Sequence, residues 1–237
     1  MSDAALILVP TPVGNLGDIT LRALETLKSA EHVFAEDTRV TRKLFSHFGI
    51  NATLHALHQH NEHKLLERLV DQMRSGQQLV VVSDAGTPGI SDPAFLLVRA
   101  ATEAGLKVEC LPGATALIPA VVASGIPCDR FIFEGFLPQK KGRQKRLTSL
   151  ANEERTIVFY ESPHRLLKTL QQIAEFIGAY RKACVVREIS KLHEEYHRGT
   201  ILDLIDYFTK NEVRGEIVIV LEGQGRMRAL DDETEEI

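Results

Sequence analysis

The chain has 237 residues, 44% of them hydrophobic and 25% charged, which is typical of a globular protein and excludes collagenous, disordered and membrane-spanning classes. The formal net charge of −4 does not exclude a nucleic-acid partner, because five acids lie in the last seven residues, DDETEEI. The first residues carry no basic segment before their short apolar run, so we expect neither a signal peptide nor a membrane anchor, and a cytoplasmic protein.

The first half of the sequence alternates short apolar runs with segments of helical spacing. The predicted strands are 6–9, 33–35, 79–83 and 108–111. The predicted helices are 20–29, 38–48, 62–75 and 92–104. Because strands and helices alternate, this half predicts an α/β domain with a mostly parallel sheet.

In the second half, strands follow one another more often, which predicts a mixed sheet. The predicted strands are 131–133, 156–160, 183–187, 195–200 and 216–221, and the predicted helices are 143–151, 163–177 and 201–209. The change of pattern predicts two α/β domains, 1–117 and 118–225, followed by an acidic, disordered tail over 226–237.

Four loops follow predicted strands and contain chemistry-bearing residues. They are PTPVGNLGD at 10–18, SDAGTPGISDP at 83–93, LPGATA at 111–116 and VFYESPHR at 158–165. Ligands of parallel α/β sheets bind beyond the carboxyl ends of the strands, so these loops predict a ligand cradle without naming the ligand. Asp84 either binds the ligand or closes its own turn. Asp18 and Ser162 are expected to cap the helices that follow them.

Two polar segments allow more than one interpretation. The run KKGRQKR at 140–146 holds five basic residues and either follows a phosphate backbone or is an ordinary solvated segment. Four histidines at 55, 58, 60 and 63 suggest a metal, but the sequence contains no HExxH motif and no nearby cysteine pair, so we predict none. Asn61 is sufficiently explained as a helix N-cap, and contact with a substrate is a second interpretation.

Eight segments in order carry a family resemblance. They are PTPVGNLGDIT, AEDTR, HQHNE, SDAGTPGISDP, LPGATA, VFYESPHR, VVREISKLHEE and RGEIVIVLEG. Over about residues 5–223 the chain resembles the ribosomal RNA small subunit methyltransferase I family of the tetrapyrrole methylase superfamily. The resemblance implies a class III methyltransferase fold with S-adenosylmethionine (SAM) between two domains, and a homodimer. It also implies 2'-O-methylation of a cytidine in the decoding region of 16S rRNA, within the small ribosomal subunit.

The resemblance also assigns a SAM pocket to positions in three loops and the second half. These positions are Pro12, Ser83, Asp84, Ala85, Gly86, Thr87, Thr115, Ala116 and Ser190. Porphyrin-methylating relatives often have Gly-Gly-Asp where this chain has Val82, Ser83 and Asp84. That difference keeps the aspartate and changes the surroundings of the methionine part of SAM.

Methyl transfer to a ribose hydroxyl requires alignment and benefits from a general base. Glu36, Asp37, Glu161 and Glu188 are the candidates, of which we select Glu161 and Asp37. Ten polar residues are expected to hold RNA, and each is equally explained as a surface charge or cap. They are Arg39, Arg42, Lys43, Asn61, Lys140, Lys141, Arg143, His164, Arg165 and Lys191.

Two other functions fit the same residues. The acceptor is a small molecule, such as a tetrapyrrole precursor, if the chain follows the porphyrin and corrin branches of the superfamily. Alternatively, the chain is an RNA-binding protein for which SAM is only an effector. The identity of the methylated molecule and the presence of turnover separate these alternatives.

Overall fold

The computed structural model describes residues 2–58, 61–90 and 94–224. The chain divides between Thr115 and Ala116 into two compact units. The predicted tail at 226–237, like His60 and residues 91–93, lies outside the described residues.

The first unit is built on a parallel sheet with the strand order β3-β2-β4-β1-β5. Its strands are β1 (Leu6–Val9), β2 (His32–Ala35), β3 (Thr53–Ala56), β4 (Leu79–Val82) and β5 (Val108–Cys110). Its helices are α1 (Leu21–Ser29), α2 (Thr38–Phe48), α3 (Glu62–Arg74) and α4 (Phe95–Glu103). The predicted parallel α/β architecture is confirmed.

Helices cover both faces of this sheet. Ile7 and Val9 of β1 pack in one apolar cluster with residues of α1 and α2, whereas Leu6 and Leu8 pack in another with residues of α3 and α4. The central strands are therefore continuous apolar runs, because alternate side chains enter two different cores. This burial fixes the strands and leaves the loops at their carboxyl ends to carry function.

The first unit departs from the predictions at two places. The edge strand β3 was not predicted, because its sequence TLHA is short and half polar. Helix α1 begins at Leu21 and is capped by Thr20, whose side chain accepts a hydrogen bond from Ala23 N, so the predicted cap by Asp18 is wrong. Asp18 lies instead in a short 3-10 segment, Leu16–Asp18.

A buried carboxylate joins α3 to α4. Glu62 is 4% exposed, and its Oε1 accepts hydrogen bonds from Ala94 N at 3.1 Å and from Leu97 N at 3.2 Å. These amides belong to the first turn of α4, where a helix has unpaired N–H groups and favours a negative charge. Glu62 therefore ties the segment that follows the loop 83–90 to the neighbouring helix.

The second unit has a mixed sheet, as predicted, and its strand order is β6-β7-β10-β8-β9. Its strands are β6 (Phe131–Phe136), β7 (Thr156–Glu161), β8 (Lys182–Arg187), β9 (Glu195–Thr200) and β10 (Ile217–Leu221). Its helices are α5 (Leu117–Ala123), α6 (Arg143–Ser149), α7 (Leu166–Ile173) and α8 (Ile201–Lys210). Strands β6 and β7 are parallel, and the other pairs are antiparallel.

Helix α7 begins later than predicted. Its N-cap is Arg165, and the amides of Arg165 and Leu166 donate to the Ser162 carbonyl. The prediction that Ser162 caps a helix starting at Pro163 is therefore wrong, because residues 162–165 form a turn before the helix. Helix α7 continues into a π-helical turn, Ala174–Gly178.

The described residues were searched for membrane-spanning helices and for clusters of metal ligands. Within the described ranges, no helix combines the length and apolar composition that a membrane crossing requires. Nor do three His, Cys, Asp or Glu side chains of those residues converge as metal ligands. His55 is accounted for by its 3.0 Å contact with His32 and by stacking on Phe34.

Candidate functional site

The loop after β1 and the loop after β4 are joined by their main chains. Thr11 N donates to Gly86 O at 2.9 Å, and Gly86 N donates to Thr11 O at 2.8 Å. Side chains reinforce this bridge, because Thr11 Oγ1 donates to Ser83 O and Ser83 Oγ donates to Gly86 O. Gly86 has a φ of +80°, a conformation that glycine adopts without strain.

The loop after β5 packs against the same bridge. A Cβ atom on Gly113 would lie 2.7 Å from Pro10 Cβ, so only glycine allows these two loops to approach this closely. Thr87 Oγ1 lies 3.5 Å from the Ala114 carbonyl. The structure therefore brings together the Pro12, 83–87 and Thr115 segments that the sequence assigned to one ligand cradle. Ala116 is the N-cap residue of α5.

Asp84 stands at the centre of these loops and also reaches the loop after β2. Its Oδ1 accepts a hydrogen bond from Asp37 N at 3.0 Å. Burial raises the pKa of the Asp84 carboxyl, and the nearby Asp37 charge raises it further. Among the described residues, no group donates a hydrogen bond to Asp84 Oδ2, so one carboxylate oxygen is available to a ligand.

Glu36 is the second half-buried acid at this edge of the sheet. Burial and the neighbouring Asp84 charge raise the pKa of its carboxyl. Within the described part of the chain, the Glu36 carboxylate takes part in no hydrogen bond or ion pair. A carboxylate with a raised pKa and an open lone pair is suited to accepting a proton.

Asp37, which the sequence suggested as a base, is occupied differently. It is the N-cap of α2, where its Oδ1 accepts from Arg39 N at 2.8 Å. The Arg39 guanidinium binds both carboxylate oxygens and lowers the pKa of Asp37 to about 2. Asp37 therefore remains ionised and is a weak base at neutral pH.

A pocket of about 240 Å³ opens between the loop 10–18 and helix α2. Its lining combines four apolar side chains with several polar ones, among them Asp84. The lining residues are Thr11, Pro12, Gly14, Leu16, Val40, Thr41, Lys43, Leu44, Ser83 and Asp84. The sequence identified Pro12, Lys43, Ser83 and Asp84 but not the apolar wall, because Leu16, Val40 and Leu44 resemble ordinary amphipathic positions.

Glu161, the other acid selected from the sequence, is buried at the end of β7. Its side chain has 0% exposure, and Arg165 Nη2 lies 2.7 Å from Oε1. Thr169 Oγ1 donates to Oε2 at 2.6 Å, and Arg143 Nη2 lies 3.6 Å from the same oxygen. In this arrangement, Glu161 neutralises two arginines and presents no open face to solvent.

The basic run 140–146 is divided between anchoring and exposed residues. Arg143 is 5% exposed and donates to Pro138 O, Gln172 Oε1 and Thr169 Oγ1, so it anchors the run rather than facing solvent. Arg146 forms two 2.6 Å hydrogen bonds with Glu134. Lys140, Lys141 and Lys145 are exposed, and no ion pair with them occurs within the described ranges.

The segment after β8 has an unusual backbone. Glu188 and Ser190 have φ values of +52° and +66°, which non-glycine residues rarely adopt. Lys191 Nζ lies 2.8 Å from Glu188 Oε1 and 3.2 Å from Glu216 Oε2, so two carboxylates already neutralise this cation. The structure thus places Ser190 in a strained turn and gives Lys191 internal partners.

The remaining residues expected to hold RNA differ in their exposure and in whether other residues of the chain already bind them. The Asn61 side chain accepts from His58 N and donates to Ala56 O, so it folds its own loop rather than capping α3. His164 is exposed on the turn before α7. Arg42 and Lys43 are exposed on α2, and Lys43 lines the pocket that Asp84 also lines. Arg39 remains 84% exposed despite its pairing with Asp37.

Known sequences similar to this chain are methyltransferases. The profile of the family described as Tetrapyrrole (Corrin/Porphyrin) Methylases matches residues 5–205. A ribosomal RNA small subunit methyltransferase I of Synechocystis is 51% identical, covering 92% of this chain and 78% of the relative. Relatives with the same name from Escherichia coli O157:H7 and Thermotoga maritima are 48% and 45% identical. They cover 94% and 92% of this chain, and 79% and 98% of their own lengths.

Solved structures share the fold at low sequence identity. The methyltransferase CobJ has a TM-score of 0.69 at 20% identity, covering 93% of this chain and 95% of that one. The uroporphyrin-III-C-methyltransferase of Thermus thermophilus has a TM-score of 0.64 at 18% identity, covering 94% and 96%. At this identity the likeness shows the architecture alone, and it confirms the predicted fold class.

Proposed function

Because the chain belongs to the ribosomal RNA small subunit methyltransferase I family of tetrapyrrole methylases, we propose that it methylates 16S rRNA. We place the methyl group on the 2'-hydroxyl of a cytidine in the decoding region. The observation that carries the choice of RNA is the 51% identity, over 92% of the chain, to a relative named for that substrate.

Membership of a methylase family makes SAM the methyl donor, which supplies an electrophilic methyl group and its own leaving group. The loop edge of the first unit fits such a ligand, because Gly86 keeps a side chain out of the cradle and Asp84 retains an available oxygen. A carboxylate there can accept hydrogen bonds from ribose hydroxyls or an ammonium group. We propose that SAM is held by Pro12, Ser83, Asp84, Ala85, Gly86, Thr87, Thr115, Ala116 and Ser190.

We assign the general base to Glu36 rather than to Asp37 or Glu161. A base acts best when its pKa lies near the working pH. The pKa of Glu36 is raised, that of Asp37 is lowered to about 2 by Arg39, and Glu161 is enclosed by arginines. In this role the Glu36 carboxylate accepts the proton of the ribose hydroxyl while the loops hold the acceptor oxygen in line.

We propose that phosphate groups of the RNA contact cations that have no carboxylate partner among the described residues. Arg42 and Lys43 are exposed on α2, and Lys140, Lys141 and Lys145 are exposed in the second unit. Arg39 and His164 remain exposed secondary candidates. Arg143, Arg165 and Lys191 support the structure through their carboxylate partners.

Transfer of a labelled methyl group tests the substrate class. Purified protein is incubated with labelled SAM and either undermethylated small ribosomal subunits, free 16S rRNA or a tetrapyrrole precursor. We expect label in the RNA. Label in the tetrapyrrole alone would favour a small-molecule acceptor, and binding of SAM without formation of S-adenosylhomocysteine in the presence of RNA would favour an effector role.

The cellular setting is proposed on the same basis. A protein acting on the small ribosomal subunit works in the cytoplasm, and the resemblance implies a homodimer. Light scattering coupled to size-exclusion chromatography is expected to give twice the chain mass. A monomer that is fully active would remove the dimer from the proposal.

A further inference from the structure

We propose that the pocket between the loop 10–18 and α2 receives the target base of the RNA, turned out of its stack. This inference rests on the proposed function and specifies how the acceptor is held. Its apolar surface comes from two elements: Leu16 from the 3-10 segment, and Val40 and Leu44 from α2. Val40 and Leu44 are four residues apart and therefore share one helix face.

The size of the pocket indicates a small occupant. Pockets for drug-sized ligands usually measure about 300–1,000 Å³, and this pocket measures about 240 Å³. It is too small to enclose an entire SAM molecule, and it suits a single planar ring system. Leu16 and Val40 are each 40% exposed, so apolar surface remains accessible for stacking on such a ring.

The polar atoms of the pocket select the chemistry of that ring. Thr11 Oγ1, Thr41 Oγ1 and Ser83 Oγ each donate to a backbone carbonyl, which can only accept. Their hydroxyl protons are thereby committed, and their free lone pairs are acceptors. Asp84 adds a carboxylate. Apart from the Lys43 ammonium, which we assign to a phosphate, the polar side chains of the lining present acceptors, which match the amino group of cytosine and oppose the O4 acceptor of uracil.

The surroundings of the pocket match the rest of a nucleotide. Asp84 lines the pocket and accepts a hydrogen bond from Asp37 N, the residue that follows Glu36, so a base in the pocket brings its ribose towards the proposed general base. Lys43 lines the same pocket and carries a cation for an adjacent phosphate. Enzymes that modify a nucleotide within folded RNA or DNA commonly extrude it into such a pocket.

Filling the pocket provides the test. Val40→Trp and, independently, Leu16→Trp add bulk at its apolar wall, while Leu202→Trp on α8, at a position 41% exposed, is the matched control. Two quantities are measured for each variant: kcat/KM for small subunits and the Kd of SAM by calorimetry. We expect kcat/KM to fall at least about tenfold, the scale of losing one stacked base, with the Kd of SAM unchanged.

Substrates with cytidine or uridine at the target position provide a second arm. Wild-type protein is expected to favour cytidine, and Thr41→Val, which removes an acceptor, is expected to narrow this preference. A parallel loss of SAM affinity in the Trp variants would assign the pocket to the methyl donor and overturn the inference. Unchanged kcat/KM would also overturn it.

Two controls keep the outcomes distinct. If thermal melting shows that a Trp variant is unfolded, Val40→Ala replaces it. We then expect a smaller fall in kcat/KM for small subunits, again with the Kd of SAM unchanged. Wild-type protein that methylates no RNA would overturn the proposed function itself. If the wild-type protein methylates RNA and a folded pocket variant has the same kcat/KM, only the assignment of the pocket to the target base is overturned.

Discussion

Two groups of carboxylates, one at the end of each sheet, have opposite surroundings. At the edge of the first sheet, Glu36 and Asp84 lie close together, half-buried, with raised pKa values and open oxygens. At the end of β7, Glu161 is fully buried and its oxygens bind Arg165, Thr169 and the Ser162 amide. The carboxylates of the first group retain oxygens without a hydrogen-bond partner among the described residues, whereas both oxygens of Glu161 have partners.

This difference suggests that the first group takes part in the reaction and that Glu161 stabilises the structure. Desolvated acids with raised pKa values destabilise the folded protein at neutral pH, because the unfolded chain would hydrate the same charges better. Residues in such surroundings are candidates for functional sites. A carboxylate that neutralises buried arginines, in contrast, stabilises the arrangement around it only while all partners remain.

Glu161→Ala is expected to destabilise the second unit strongly. It leaves Arg143 without its carboxylate and removes the partner of Arg165, and breaking a buried pair typically costs about 3–5 kcal/mol. Denaturant unfolding of the variant and of Glu161→Gln, which keeps the hydrogen-bonding shape, measures the effect. A folded, equally stable alanine variant with reduced methyl transfer would restore Glu161 as the catalytic candidate.

Glu36→Gln is expected to lower kcat/KM by about a hundredfold or more, the scale of a general base. A base must be deprotonated, so wild-type activity falls as pH decreases through the raised pKa of Glu36, at a higher pH than for an ordinary glutamate. The variant loses this limb of the pH profile. Asp37→Asn is the matched control, because asparagine also caps helices, and a reversed pair of results would assign the base to Asp37.

Asp84→Asn is expected to weaken SAM binding by about tenfold to a hundredfold, the scale of hydrogen bonds to a charged group. The amide oxygen of the introduced asparagine would still accept from Asp37 N. The raised pKa means that the Asp84 charge costs stability at neutral pH, so Tm should not fall. The two proteins should converge in stability below the pKa of the unfolded aspartate. A lower Tm with intact SAM binding would make Asp84 a turn-closing residue.

Replacing Lys140, Lys141 and Lys145 by Gln is expected to give the smallest effect. Each lost phosphate contact reduces the slope of log K against log salt concentration by about 0.7–0.9. Arg146→Gln is the control, because Arg146 is already paired with Glu134 and should change the slope less. Equal changes for the lysines and for Arg146 would show that internal pairing does not decide which cations meet RNA.

Much of the fold followed from local sequence patterns. Runs such as Leu79–Val82 and the helical spacing of α2 are strong signals, because burial on one or both faces dictates them. Strand β3 and the bounds of helix α5 escaped prediction for opposite reasons. The edge strand carries Thr and His, and α5 is a short continuous apolar run that contains Pro119 and lacks a polar face.

The candidate site was only partly predictable. The sequence identified the loops around Asp84 because they follow strands, but it could not tell an open carboxylate from a saturated one. Glu161 and Arg143 both appeared chemically available, but the structure pairs Glu161 with Thr169, 8 residues away, and Arg143 with Gln172, 29 residues away. The choice of Glu36 over Asp37 depends likewise on the pairing geometry of Arg39.

Nucleoside analysis of the methylated RNA determines which nucleoside, and which part of it, receives the methyl group. Small subunits lacking the modification are incubated with the protein and labelled SAM, and the RNA is digested to nucleosides and separated by mass. We expect the label in 2'-O-methylcytidine. Label in a base-methylated nucleoside, or in a ribose-methylated uridine, would contradict it.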